Sequence, residues 1–454
     1  MGLSLLSLIV VLGVLIFVHE SGHFLVARFL GVGVEKFSLG FGPRIFGKTV
    51  GRTDYRVSAI PLGGYVKMVG EDPDSDISPE DIPVSFTHKN VYKRMLIVAA
   101  GPVFNLLLAV FIFFSFFSIA GITDIRSVVK RVDKESPASR AGIRLEDHIV
   151  FINGESVQSW GDIKEAIEAS SGSPLLITVE RDSELIDIEA APQMKTGRDI
   201  LGDEVKYYDL GMSGLPVIEA IIGEVSKGFP AEKAGLKKGD RIIGINGVPV
   251  NNWDEMRTEI AASGGNRLEL KVQRLDQVLQ IGLVPKLTVQ KDRTGNKAER
   301  YLIGISTGGF SIPEELRIRK RFSPVAAFSE SLKQTWFVID VTFRGIVKMI
   351  NGSISRDNLG GPIMIAQMAG QQARAGIGKL IQFIAFISIN LAILNFLPIP
   401  ILDGGHLMFF SIEAVRGRPV SLRVREVAQQ AGMFILLVLM VFVFYNDIAR
   451  IFSS

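Results

Sequence analysis

The chain has 454 residues, of which 47% are hydrophobic and 21% charged, and its mean hydropathy is +0.31. A net charge of +3 gives no basic footprint for nucleic acid, and the absence of cysteine removes disulfides and thiolate metal sites, so a transition-metal site has to use His, Asp or Glu. High hydropathy in a chain one-fifth charged points to two populations of residue, one for lipid and one for water.

A helix crosses a bilayer with roughly 20 mostly apolar residues. The first such stretch runs from Leu3 to Leu30. It lacks a basic leading region and an Ala-x-Ala cleavage site, so it reads as a retained transmembrane helix and not as a signal peptide. Inside it stands His19-Glu20-Ser21-Gly22-His23, an HExxH motif. On a helix, positions i and i+4 share a face, so the two imidazoles can hold one Zn²⁺ with Glu20 beside a metal-bound water as general base. An acid inside a span costs at least ~2.5–3.5 kcal/mol on insertion scales, which points to function. The alternative is a polar cluster that packs helices together, and packing does not require this spacing. A catalytic zinc generally has three protein ligands. Val26 and Phe29 occupy the positions where a metzincin places Gly and His, so the third ligand has to come from elsewhere.

The loop that follows carries Lys36, Arg44, Lys48, Arg52, Arg56, Lys67, Lys89, Lys93 and Arg94, and the second span runs from Met95 to Gly121. The middle region holds a repeat: residues 137–160 and 230–253 align without a gap at an offset of 93, and Pro137, Ala138, Ala141, Gly142, Asp147, Ile149, Ile152, Asn153, Gly154, Val157 and Trp160 recur. Each copy reads as a short helix, a Gly turn, a strand, an Asn-Gly hairpin turn and a second helix. A period this long exceeds a solenoid unit and indicates two copies of one small globular domain. Trp160 and Trp253, at matched positions, read as fold-determining.

Phe322–Ile350 is amphipathic, with Phe328, Trp336, Phe337 and Phe343 among Glu330, Lys333, Asp340, Arg344 and Lys348, and suits an interfacial helix better than a span. Gly360-Gly361-Pro362 breaks the chain before a third span at Ile377–Leu397. That span ends in Asn395-Phe396-Leu397-Pro398-Ile399-Pro400, followed by Ile401-Leu402-Asp403-Gly404-Gly405. Here the prolines stop the helix, the glycines permit close backbone approach to a metal, and Asp403 is the best candidate for the third ligand. His406 is either a support for the ligands or an ordinary helix residue, and the second reading is favoured. His88 and His148 carry no assignment. A fourth span covers Gly432–Tyr445, after a loop with Arg416, Arg418, Arg423 and Arg425. The basic loops belong in the cytoplasm, which puts the termini and the middle region on the far side, the periplasm in a bacterium, and sets both half-sites at similar depth. The sequence divides at 1–121, 122–215, 216–310, 311–376 and 377–454.

The Ala-Gly-(Leu/Ile)…Asp-x-Ile…Ile-Asn-Gly pattern, present twice, resembles PDZ domains of the circularly permuted bacterial kind, which bind extended peptide ends along a sheet edge. Leu210-Gly211-Met212 and Ile303-Gly304-Ile305 are the candidate groove turns, the alternative being empty grooves that act as spacers or lids. HExxH in the first span, Gly101-Pro102-x-x-Asn105 in the second, Phe37-Ser38-Leu39-Gly40-Phe41-Gly42-Pro43 between them and the distant Asn-x-x-Pro…Leu-Asp-Gly together resemble the site-2 protease family of intramembrane metalloproteases. The resemblance covers nearly the whole chain. It implies an α-helical membrane protein of four transmembrane helices with a reentrant β-hairpin loop at Glu35–Val69, plus two inserted α/β PDZ domains. It further implies zinc on His19, His23 and Asp403, Glu20 as catalytic base, and Asn395 and Asn390 as substrate-positioning residues. The implied substrates are single-pass membrane proteins, an anti-sigma factor after a first cut and remnant signal peptides. The implied setting is the bacterial inner membrane, with lipid as a partner and nucleic acid excluded. Two rivals are an anchored zinc peptidase for soluble peptides, which predicts HExxH in a water-exposed domain, and a decayed PDZ scaffold, which predicts a lost ligand or base.

Overall fold

The computed structural model describes residues 2–453 apart from 72–76, 292–296, 308–311 and 356–358. The chain forms two compact units, one of residues 1–120 and 322–454 and the other of residues 121–321.

The first unit opens with α1 (Gly2–Phe29). Strands β1 (Val34–Val50) and β2 (Thr53–Met68) follow, and then α2 (Val91–Ile119), capped by the Asn90 side chain accepting from Tyr92 N. The two strands are so long and so bulged that they fold into more than a hairpin. Phe37 pairs with both Val66 and Tyr55, and Tyr55 in turn pairs with Lys48. The result is four adjacent segments in the order 64–68, 34–39, 54–58 and 44–50. Positive φ at Gly40 and Gly42 bends β1 where it changes neighbours. The antiparallel pair forms four segments because each strand, at 17 and 16 residues, is about three times the usual length and has to double back. The segment Gly64–Met68 is thereby an outer edge of the sheet, and it lies against α1: a Cβ on Gly64 would stand 2.7 Å from Ile16 Cγ2 and 3.0 Å from Glu20 Cγ.

In the second unit the two copies repeat each other down to the register. The first has α3 (Pro137–Ala141), α4 (Trp160–Ala169) and a sheet of strands in the order 155–156, 148–152, 175–181, 184–190. The second has α5 (Pro230–Lys233), α6 (Trp253–Ala262) and the order 248–249, 241–245, 268–274, 277–283. Ile149 faces Val179 and Ile152 faces Ile177, with a bulge between; Ile242 faces Val272 and Ile245 faces Leu270, with the same bulge. The expected Asn-Gly turns have positive φ at both residues in both copies. Each sheet packs its alternate apolar residues on one helix, α4 or α6. A strand at Arg317–Lys320 pairs with Ile122–Ile125, so the unit extends past the boundary at 310 drawn from sequence.

One ion pair is also duplicated. Arg181 donates from Nε and Nη2 to the two carboxylate oxygens of Asp147, each at 2.7 Å, and Arg274 does the same to Asp240 at 2.7 and 2.8 Å. Both aspartates are about 1% exposed. Burial pushes the Asp240 carboxyl up, but the Arg274 fork and the Lys237 N–H outweigh it and hold the group below the usual carboxylate range. A carboxylate depressed on folding stabilises the fold above its unfolded pKa of about 3.9, and that contribution fades as pH falls through the folded value. Hydrogen exchange at strand 268–274, corrected for intrinsic rates, is expected to show acid loss of protection beginning below about pH 4. The loss should flatten in Asp240→Asn; an unchanged acid limb in that variant would exclude Asp240 as its source.

The first unit resumes with α7 (Pro324–Ile350), α8 (Pro362–Ala375), α9 (Ile377–Phe396), α10 (Asp403–Arg416) and α11 (Leu422–Ser453). The amphipathic stretch is indeed one helix, but its protein-facing stripe is the small set Ala327, Ser331, Thr335 and Val338, while Trp336 and Phe343 point outward. Sequence reading leaves α8 as loop, because its apolar residues are diluted by Gln367, Gln371, Gln372 and Arg374. Asp447, 2% exposed near the end of α11, accepts from the backbone N–H groups of Gly361, Ile363 and Met364 and so caps α8 from another helix. Among the described residues four helices, α1, α2, α9 and α11, are long and apolar enough to cross a membrane.

Candidate metal centre and active site

The site begins with the crossing of α1 and α2. A Cβ on Gly22 would lie 2.4 Å from the Ala100 carbonyl oxygen, and one on Gly101 would lie 2.3 Å from His23 Nε2 and 2.8 Å from His19 Cε1. Only glycine at both positions lets the helices approach this closely. The contact leaves His19 and His23 stacked edge-on, with ring centroids 4.9 Å apart and Nε2 atoms 3.3 Å apart.

Asp403 arrives from the other end of the chain. The turn Leu397–Leu402 ends α9 at its prolines and starts α10 at Asp403. The two glycines after Asp403 are needed by this turn: a Cβ on Gly404 would meet the Leu397 carbonyl at 2.3 Å, and one on Gly405 the Ile399 carbonyl at 2.3 Å. Asp403 Oδ2 lies 3.2 Å from His19 Nε2, and Oδ1 lies 3.6 Å from His23 Nε2. Burial pushes the Asp403 carboxyl up, and the two imidazole contacts outweigh it and hold it well below the usual range.

These spacings test the fit of an ion. A tetrahedral zinc with bonds of about 2.0–2.1 Å keeps its ligand atoms about 3.3 Å apart. Here the two imidazole Nε2 atoms lie 3.3 Å apart, His19 Nε2 lies 3.2 Å from Asp403 Oδ2, and His23 Nε2 lies 3.6 Å from the other carboxylate oxygen, Oδ1; one ligand atom from each of the three residues lies within 4.8 Å of the others. Two imidazole nitrogens and one carboxylate at these distances suit zinc.

Glu20, 9% exposed, lines a cavity of about 510 Å³ together with His19, His23 and Asp403. Gly64, Tyr65 and Val66 of the outer β2 segment form one wall. His406, read from sequence as an ordinary helix residue, lines the same cavity. Burial, reinforced by nearby positive charge, keeps its imidazole pKa down. Sequence reading also passed over Arg94, 9% exposed, which pairs with Glu413 at 2.5 Å, lies 4.8 Å over the Phe410 ring and lines the cavity. Asn105, quoted only as part of a motif, is fully buried with its amide nitrogen 3.3 Å from His19 Nδ1.

The two asparagines of α9 lie apart from the residues that line this cavity. Asn390 donates to the Phe386 carbonyl at 2.8 Å and accepts from Thr342 Oγ1 at 3.2 Å, tying α9 to α7. Asn395 is half-buried in the last turn of α9. In the second unit, Leu210 and Met212 belong to the core of the first copy, and their turn is fixed by bonds from Asp133 N to the Gly211 carbonyl and from Ala138 N to the Leu210 carbonyl. Ile303, Gly304 and Ile305 occupy the matching place and border a cavity of about 630 Å³ with Phe229, Trp253, Met256, Arg257 and Ile260.

The sequence profile described as Peptidase family M50 matches residues 7–439. The chain belongs to peptidase family M50. It is 34% identical over 459 residues to protease RseP of Yersinia pestis, and 34% identical over 453 residues to the regulator of sigma-E protease RseP of Escherichia coli K12. It is also 35% identical over 462 residues to a Neisseria meningitidis protein named as a zinc metalloprotease. Each alignment spans 99% of both chains. As an M50 peptidase the protein is a zinc-dependent metalloprotease, and its four apolar helices make it a membrane protein.

Proposed function

We propose that this M50 peptidase hydrolyses a peptide bond within or next to the membrane-spanning segment of single-pass proteins, with His19, His23 and Asp403 as zinc ligands and Glu20 as general base. The observation that carries the proposal is the convergence of His19 and His23, on a helix apolar enough to span a bilayer, with the Asp403 carboxylate, their ligand atoms within 4.8 Å of one another. Zinc, when bound, supplies a water acidic near neutrality and a Lewis acid for the scissile carbonyl. Glu20 takes the water's proton and returns it to the leaving amine. Asn395 and Asn390 on α9, outside the cavity lining described above, would have to come to the substrate to position its backbone or polarise its carbonyl.

A helical substrate hides its carbonyls in its own hydrogen bonds and has to be extended before attack. The outer segment Gly64–Met68, part of which walls the cavity, suits an extended strand added to the sheet. In this reading β1 and β2 form a reentrant loop, and the duplicated modules are PDZ domains in the periplasm, turns 210–212 and 303–305 lining their grooves. They exclude substrates that still carry a large periplasmic domain. The substrates are an anti-sigma factor of the RseA type, after a first protease has trimmed it, and remnant signal peptides. Cleavage in the inner membrane, near its cytoplasmic side, releases the sigma-E stress response.

The test offers the reconstituted protein two substrates, a single-span helical protein and a soluble peptide of the same cleavage sequence. Cleavage of the first at a bond inside its apolar segment is expected. Turnover of the soluble peptide alone would favour an ordinary anchored peptidase.

A further inference from the structure

The two histidines are held in different ways. His23 Nδ1 lies 2.9 Å from the Ile97 carbonyl, which can only accept. That contact fixes the proton on Nδ1 and leaves Nε2 with a free lone pair, the tautomer a metal requires. His19 Nδ1 faces instead the amide nitrogen of Asn105, which can only donate. Here Nδ1 accepts, and the proton sits on Nε2, aimed at Asp403 Oδ2 3.2 Å away. This arrangement is self-consistent without an ion, yet it blocks the nitrogen that faces Asp403 and His23.

The carboxamide of Asn105 contains the remedy. Its residue is 0% exposed, and its Oδ1 is buried without a hydrogen-bond partner. A half-turn of the amide brings that oxygen to His19 Nδ1 as an acceptor. The imidazole then carries its proton on Nδ1 and frees Nε2: one proton passes from Nε2 to solvent and one from solvent to Nδ1, so the ring is neutral before and after and no net charge is gained or lost. The backbone at this point is anchored, since Ser388 Oγ on α9 donates to the Asn105 carbonyl at 2.7 Å, so the amide can turn without the helix moving.

We propose that Asn105 is a positioning residue for His19, whose amide reverses to follow the imidazole tautomer when zinc is loaded. The inference rests on the metal site proposed above and adds a second-layer residue that supports only one of the two histidines. No aliphatic side chain can serve either tautomer, and a carboxylate serves the loaded one alone.

The experiment measures zinc affinity of the full-length protein in detergent by competition with a chromophoric chelator, after stripping the metal. Asn105→Leu is expected to weaken zinc binding by about 10–100-fold. Asn105→Asp, which accepts from Nδ1–H, is expected to bind at least as tightly as the parent. Equal losses in both variants would reduce Asn105 to a packing residue and overturn the proposal, as would parental affinity in Asn105→Leu. If the melting curve of the stripped Asn105→Leu protein shows that it does not fold, the Asp variant decides alone, and weakened binding there overturns the proposal. A parent chain that holds no zinc would overturn the metal site and the role of Asn105 together, whereas a zinc-loaded parent with an indifferent Asn105→Leu overturns only the latter.

Discussion

Glu20→Gln protein is expected to retain its full zinc content and to cleave about 10²–10⁴-fold more slowly than the parent. The amide keeps the volume of the carboxylate and leaves the three donor atoms of His19, His23 and Asp403 untouched, but it cannot take a proton from water. His23→Phe is expected to lose both metal and cleavage, because the ring stays while the nitrogen 3.3 Å from His19 Nε2 disappears. Metal analysis beside single-turnover cleavage of a membrane substrate separates the two. Normal turnover by Glu20→Gln would remove the carboxylate from the mechanism, and a fully loaded His23→Phe protein would remove the histidine from the metal site.

The second large effect comes from one methyl group. Gly101→Ala is expected to lower zinc affinity and cleavage by about 10²-fold or more, since misplacing a catalytic group by an ångström costs on that scale. The new Cβ would lie 2.3 Å from His23 Nε2, the atom proposed to bind the ion, so either that imidazole or the whole α2 helix has to shift. Gly13→Ala on α1 is the control: nothing lies within 4 Å of its Cβ, and removing a mid-helix glycine is expected to stabilise the chain by roughly 0.5–1 kcal/mol. Parental zinc affinity in Gly101→Ala would mean that α1 and α2 do not meet at this distance in the working enzyme.

The proposed reacting groups are legible in the sequence because their chemistry is rare in lipid. His19, Glu20 and His23 interrupt an apolar run, and Asp403 follows a proline stop, so residue type and location single them out. The supporting groups carry no such signature. Gly101 and Gly22 look like any small residues of a membrane helix, and Asn105 is distinguished only by a partner 86 residues away. His406 and Arg94 acquire meaning from the walls of a cavity that no one-dimensional pattern reveals. The fold divides the same way. The repeat predicted its Asn-Gly turns and its α4 and α6 helices because local turn chemistry and caps fix them. It did not reveal the forks from Arg181 to Asp147 and Arg274 to Asp240, whose arginines lie 34 residues past their partners. The four-segment sheet was missed because alternation sets a strand's faces but not how many neighbours it has.

The histidines of α1 and the carboxylate that starts α10 stand 380 positions apart in the order of synthesis. At about 5–20 residues per second a ribosome needs on the order of 20–80 s to travel from one to the other. Throughout that interval the nascent chain already displays an HExxH helix, yet it lacks the carboxylate that completes the proposed zinc triad. A polypeptide being threaded into a bilayer thus gains the proposed third ligand only once the segment that carries Asp403 has been made.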